Sequence, residues 1–231
     1  MEVRGERECT ACGTRWSYYE TGEITCPSCG SVRSVGVDER TLHTASATGF
    51  DLTPVRQAVE TEPLREVARR AADRAASYVR SAGFVDGGEL QPLGEMYPAA
   101  AELRRVGATV ARSMTVSDAE ELYLLELLRI VDSGERPGPE KVPDSLRAER
   151  GLAVTASVDG YLTDLRRWLD DRDPPVDSVL SSVTTHRKRI EALDGDVDPA
   201  ESERLLLTVQ DLSAYLREGD ETALARAQER F

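Results

Sequence analysis

Apolar residues follow a helical repeat over most of the chain, from Pro54 to the C-terminus. They recur at positions i, i+3, i+4 and i+7, which is the spacing of a helix with one buried face. The pattern predicts six or seven helices, over 63–82, 98–114, 118–133, 150–171, 177–194 and 199–218, with a last one capped by Asp220. Residues 54–231 are therefore predicted to form an all-α domain, which makes the fold class mainly α.

Local signals mark the ends of these helices. Ser117 and Glu120 have the Ser-x-x-Glu spacing of a capping box. Pro199 follows Asp198 at a first helical position, where proline is favoured. Residues 134–143, GERPGPEKVP, cannot continue a helix, so this segment is predicted to be a break within the helical domain.

The first 53 residues lack the helical repeat. Short strand-like segments, RWSYYE at 15–20 and SVRSVGV at 31–37, indicate a small β module over residues 1–40. Residues 41–53 are polar and rich in small side chains, the composition of a linker. His43 is therefore expected to be a mobile linker histidine rather than a metal ligand or a catalytic base.

All four cysteines belong to two Cys-x-x-Cys-Gly motifs near the N-terminus, at Cys9, Cys12, Cys26 and Cys29. Each motif closes a tight turn that can direct two thiolates at one ion, and the glycines after them suit a left-handed backbone. Two such turns predict a tetrahedral cage of four sulfurs around one structural Zn²⁺. The arginines expected to offset its negative charge, together with knuckle N–H groups, are Arg7, Arg15 and Arg33.

Three small strands around one ion constitute a zinc ribbon. A module of this size buries too little apolar surface to fold alone, so metal binding should supply its folding free energy. The knuckles CTACG and CPSCG resemble those of the zinc-ribbon superfamily. That superfamily includes the N-terminal ribbon of transcription factor B, ribbons of RNA polymerase subunits and several ribosomal proteins. The resemblance implies metal binding and a role in transcription or translation, without naming a partner.

The second knuckle also resembles rubredoxin, an iron electron carrier with a Cys-Pro-x-Cys-Gly motif. In rubredoxin the knuckles lie about twice as far apart, and the position of Ser28 is usually apolar. The resemblance therefore implies electron transfer only as a third alternative.

The formal net charge is -13, and only Lys141 and Lys188 among 29 basic residues are lysines. In this composition, and in having a ribbon followed by helices, the chain resembles proteins of halophilic archaea. A high-GC genome is the alternative explanation for the scarcity of lysine. In molar salt the screening length is about 3 Å, so the acidic surface would neither exclude nor favour nucleic acid at long range.

The chain has no run of 18 apolar residues, and its N-terminal residues are charged where a secretory signal would be apolar. We therefore expect a cytoplasmic protein with no membrane partner.

The chain has few residues that could act in catalysis, because it has two histidines, no glycine-rich phosphate loop and no cysteine outside the two motifs. No catalytic residue is predicted.

Three classes of function remain open at this stage. The first is a non-enzymatic adaptor whose ribbon contacts a protein or nucleic acid, and the second is an enzyme with a small-molecule site among its helices. The third is the electron carrier.

The candidate partner surface on the ribbon comprises Arg15, Trp16, Tyr18, Tyr19 and Arg33, although at least one of these aromatic residues is needed for the core of so small a module. A second cluster, Arg65, Arg69, Arg70 and Arg74, is expected to be a solvated helix face.

Overall fold

The structure is a computed structural model that describes residues 1–46, 49–171 and 173–231. It is mainly α-helical, with a few short strands near the N-terminus, as predicted. In the described ranges no helix is both long and apolar enough to cross a membrane. The helices are α1 (Tyr18–Thr21), α2 (Thr53–Ala58), α3 (Leu64–Ser81), α4 (Met96–Arg112), α5 (Asp118–Ile130), α6 (Arg147–Trp168), α7 (Pro174–Ala192), α8 (Pro199–Glu218) and α9 (Glu221–Glu229).

Short strands form three small sheets. The strands are β1 (Glu2–Arg4), β2 (Glu6–Cys9), β3 (Arg15–Ser17), β4 (Ser34–Gly36), β5 (Arg40–Leu42), β6 (Val85–Asp86) and β7 (Glu89–Leu90). A three-stranded sheet has the order β3-β2-β4, with Glu8 opposite both Arg15 and Val35. The strands β1 and β5 pair separately, as do β6 and β7. All three sheets are antiparallel.

The helical repeat located the seven longer helices to within a few residues at each end. The capping box is present, because Ser117 accepts a hydrogen bond from the Glu120 N–H while the Glu120 carboxylate accepts one from the Ser117 N–H. The strand predicted at 15–20 ends early, and residues 18–21 form α1. Ser17 caps this turn and Gly22 closes it in a left-handed conformation, so local capping overrides the strand preference of the two tyrosines.

The helical body contains two apolar cores. One lies between helices α2, α3, α4 and α5, with Leu103, Leu124 and Leu127 fully buried. The other is formed by α6 to α9 and by the loop that contains β6 and β7. The predicted break, 134–143, lies between the helices of the two cores and contributes Val142 to the first. The division of the chain into domains stays a prediction.

A buried polar cluster joins the two cores. Arg150 on α6 is 1% exposed, and its Nη1 donates to Glu102 on α4 at 2.6 Å. Its Nη2 donates to Glu203 on α8 at 2.9 Å, and Glu203 also pairs with Arg136 at 2.7 Å. The Tyr123 hydroxyl donates to the other oxygen of Glu102. Because a buried charge needs partners in place of water, these pairs determine how the two cores are positioned against each other.

The segment predicted as a linker, 41–53, is in contact with both parts of the chain. Its first residues belong to β5, which pairs with β1. The Thr44 hydroxyl donates to Asp164 on α6 at 2.6 Å and accepts hydrogen bonds from the N–H groups of Phe84 and Val85. The small module is thus attached to the helical body by hydrogen bonds that the composition of the segment did not indicate.

His43 is packed, so the expectation of a mobile histidine was wrong. Its ring lies 4.7 Å from that of Tyr19, and its Nδ1 lies 3.3 Å from an Asp86 carboxylate oxygen. The Gly87 N–H donates to the same Nδ1 at 3.3 Å. Burial lowers the pKa of His43 below its ordinary value of 6.5, although Asp86 acts in the opposite direction.

We expect His43 to make the protein less stable in acid. The unfolded chain binds a proton at His43 more readily than the folded chain does, so stability should decrease as the pH falls below about 6.5 and through the lower folded pKa. In His43→Gln this part of the pH dependence should disappear. Urea unfolding at about pH 7.5 and about pH 5.5 measures the difference. His186→Gln is the control for the other histidine, and an equal acid loss in wild type and His43→Gln would contradict the prediction.

Candidate metal centre

The structure brings the sulfur atoms of Cys9, Cys12, Cys26 and Cys29 together. All four lie within 4.8 Å of one another. The shortest separations are 3.6 Å, between Cys9 and Cys29 and between Cys12 and Cys26. A tetrahedral ion with metal–sulfur bonds of about 2.3 Å holds its sulfurs about 3.8 Å apart, so the spacing of these four fits one ion.

The two knuckles have the same backbone geometry. In the first, the Cys9 N–H donates to the Thr14 carbonyl and the Gly13 N–H donates to the Cys9 carbonyl, both at 2.9 Å. In the second, Cys26 and Gly30 make the equivalent bonds, again at 2.9 Å. Both glycines are left-handed, with φ of 76° and 70°, as the motif predicts. In the folded module, local backbone hydrogen bonds therefore position each pair of thiols.

The electrostatics of the cluster favour a cation. The Thr14 hydroxyl, followed by the Thr14 N–H, lowers the pKa of Cys12 to about 6. The pKa of Cys29 is raised to about 12, because the three neighbouring sulfurs together outweigh the Ser31 N–H that favours its thiolate. Four thiols at this spacing cannot all ionise unless positive charge is present. A divalent ion would supply that charge, and soft sulfur donors suit zinc and iron.

Two of the arginines that were expected to offset the negative charge of the thiolates make other contacts. Arg15 pairs with Glu8 at 2.7 Å, and Arg7 donates to the Ser34 hydroxyl at 3.0 Å. Arg33 is exposed and makes no ion pair within the described part of the chain. Backbone N–H groups act on the sulfurs instead: those of Thr14 and Ser31 favour the thiolates of Cys12 and Cys29, so the backbone supplies positive dipoles to the cluster.

The aromatic residues of the candidate partner surface are largely occupied inside the molecule. Trp16 is 8% exposed, packs with Cys9 and Cys26, and donates its indole N–H to the Glu23 carbonyl at 2.9 Å. Tyr19 shares a hydrogen bond with Thr41 at 2.5 Å, and Tyr18 lies edge-on to His43. Trp16 is therefore the core of the ribbon. Of the five predicted surface residues, Arg15 and Arg33 are the exposed ones, and their contact with a partner stays a prediction.

Two other features of the ribbon were missed by sequence reasoning. The side chains of Ile24, Val32, Val35 and Val37 are exposed, and Val32 is 70% exposed. A groove of about 460 Å³ lies beside Val35 and is lined by Arg4, Arg7 and Arg40. These arginines come from separate strands, so only the pairing of the strands brings them together. The four apolar residues could have been noticed, because they fall within fourteen positions of a module whose core is Trp16 and two cysteines.

Comparison with known proteins identifies a family but no activity. No curated protein and no solved structure matches the chain. One family model matches residues 1–231, and the chain therefore belongs to the family of unknown function DUF7117.

Proposed function

We propose that this protein is a zinc-dependent, non-enzymatic adaptor whose ribbon contacts a partner macromolecule in transcription or translation. A single Zn²⁺ held by the four cysteines is the proposed cofactor, and its role is structural. The observation that carries the proposal is the group of exposed apolar side chains on the metal module, Ile24, Val32, Val35 and Val37.

Metal binding explains how the ribbon can keep these side chains in solvent. The module uses only three buried residues as its core, so its fold does not depend on burying the aliphatic ones. Aliphatic residues clustered on a small surface typically mark a site of macromolecular contact. The adjacent arginine-lined groove adds positive charge to the same part of the ribbon. An apolar surface beside basic residues favours a protein partner with an acidic segment.

Affinity purification of tagged protein from a lysate kept at native salt tests the proposal. We expect wild type to retain a defined partner, and the double variant Val32→Asp/Val35→Asp to lose it while keeping its metal. The matched control is Leu122→Asp/Leu193→Asp, which places the same charges at exposed apolar positions of the helical body. Retention of the partner by Val32→Asp/Val35→Asp, or its loss from the control as well, would refute a contact through the ribbon.

A further inference from the structure

The helix pair α3 and α4 is basic in an otherwise acidic protein. The two helices carry eight arginines and three acidic residues, a net charge of +5, whereas the whole chain has a net charge of -13. One of the three acids, Glu102, is fully buried and paired with Arg150. The solvent-facing side of the pair is therefore more positive than its sequence charge indicates.

The two basic helices are closely packed against each other. Gly107 on α4 lies so near α3 that an added Cβ would be 2.7 Å from the Ala68 carbonyl oxygen and 3.2 Å from the Ala72 Cβ. Helices in contact through such small residues approach more closely than helices separated by larger side chains. Two grooves flank α3, one beside α4 and the other beside Pro54 and Val55 of α2. Together they are lined by six arginines, which we name the arginine face: Arg69, Arg70, Arg74, Arg104, Arg105 and Arg112.

Three residues of the arginine face have no carboxylate partner. Arg74, Arg104 and Arg112 are exposed and make no ion pair or hydrogen bond through their guanidinium groups within residues 1–46, 49–171 and 173–231. The other three are paired with acidic residues: Arg69 with Glu66 and Asp73, Arg70 with Glu62, and Arg105 with Glu149. These three guanidinium groups are therefore left without an ion pair at this surface, although the chain as a whole is acidic.

The grooves have room for an anionic group beside these arginines. The first has a volume of about 320 Å³, and its floor is made of the small side chains of Ala72, Ala76 and Ala108. The second, of about 440 Å³, lies on the other side of Asp73 and is lined by Arg69, Arg70 and Arg74. The alanine side chains of the first groove, which Asp73 and Glu149 also line, let a flat or extended ligand approach the helices. Guanidinium groups can then bind its oxygens in pairs.

We propose that the arginine face binds the phosphodiester backbone of a nucleic acid. Beyond the arginine face, Arg65 and Arg80 place further positive charge near the two ends of α3, about 22 Å apart, a length of about six base pairs of duplex. Apart from Pro54 and Val55, the residues that line the two grooves are charged or small, whereas insertion into a lipid surface or anchoring of a peptide would require large exposed apolar side chains. Contacts from guanidinium groups to phosphate oxygens carry no sequence information, so we expect this binding to depend little on sequence. This surface is separate from the ribbon and does not depend on the proposed ribbon contact.

Fluorescence anisotropy with a labelled RNA strand of about 20 nucleotides and a DNA duplex of about 20 base pairs tests the proposal. Titrations cover the KCl range in which circular dichroism shows every protein to be folded. The test variant is Arg74→Glu/Arg104→Glu/Arg112→Glu. The control, Arg129→Glu/Arg166→Glu/Arg204→Glu, makes the same change in net charge at exposed arginines that have no ion pair in the described chain. Arg104→Gln/Arg112→Gln is a milder variant, to be used if the triple variant does not fold.

We expect the test variant to weaken nucleic-acid binding by about 100-fold or more, and the control by less than about threefold. Each lost phosphate contact should also reduce the slope of log Kd against log[KCl] by about one unit. Equal weakening by test variant and control, no binding by folded wild type, or tighter binding to anionic vesicles or polyglutamate would overturn the proposal. Val32→Asp/Val35→Asp should still bind nucleic acid, and the arginine variant should still retain the ribbon partner, so the two proposals can fail separately.

Discussion

Substituting serine for Cys26 and Cys29 is expected to release the metal ion and unfold residues 1–42 while the helical body stays folded. The buried core of the ribbon consists of Cys9, Trp16 and Cys26, which is too little apolar surface to offset the conformational entropy of ordering the module. A structural zinc site contributes about 10–16 kcal/mol at neutral pH, so loss of half the ligands should remove most of the folding free energy of this module. Neither of the two cores of the body contains Cys9, Trp16 or Cys26.

Metal analysis and hydrogen exchange measure the two parts of this prediction. Wild type should contain one ion per chain, and a colourless zinc protein would eliminate the rubredoxin-like alternative. In the double variant the amides of β2, β3 and β4 should lose protection, while those of α6 and α8 keep it. Ser28→Ala, an exposed position between the second pair of cysteines, is the matched control and should keep the ion. Full protection of the ribbon in a metal-free variant would contradict the prediction.

Replacing Arg150 with methionine is expected to lower the free energy of unfolding by about 3–5 kcal/mol. Arg150 is the partner of both Glu102, which is 0% exposed, and Glu203. Its removal leaves a buried carboxylate without its cation, and that desolvated charge is the main cost. Because the pair lies between the two cores, the loss should affect α4 and α6 together.

Urea unfolding provides the measurement, with two comparison variants. Glu102→Leu/Arg150→Met removes both charges and should recover much of the lost stability, because no buried charge is left unpaired. Arg105→Met removes an ion pair to Glu149 that is partly exposed to solvent and should cost about 1 kcal/mol or less. If Arg150→Met were as mild as Arg105→Met, the cluster would not be holding the two cores together.

The two proposed surfaces would let one chain act as an adaptor between two partners. The ribbon presents apolar side chains and a basic groove at one part of the chain, and the arginine face lies on two helices of the body. A protein partner on the first and a nucleic acid on the second could be held by one chain. The contacts of Thr44 and His43 with the loop around β6 attach the ribbon to the body, which limits how far the two surfaces can move apart.

The sequence alone located the cysteine turns and the helices, because both depend on residues that are close along the chain. A Cys-x-x-Cys-Gly turn is closed by hydrogen bonds across five positions, and a helix is recognised from its 3.6-residue repeat. The same locality explains the error at 15–20. There the strand preference of Tyr18 and Tyr19 was read correctly, but the capping of α1 by Ser17 and Gly22 was overlooked.

Only the tertiary structure decided which distant residues meet. Glu102 and Glu203 lie 48 and 53 positions from Arg150 in sequence, and nothing local marks them as its partners. The arginines of α3 and α4 lie on neighbouring helices because α3 packs against α4 at Gly107, and His43 is half-buried next to the paired strands β1 and β5. Each of these contacts depends on how whole helices and strands pack, and the pattern within any one segment does not contain that information.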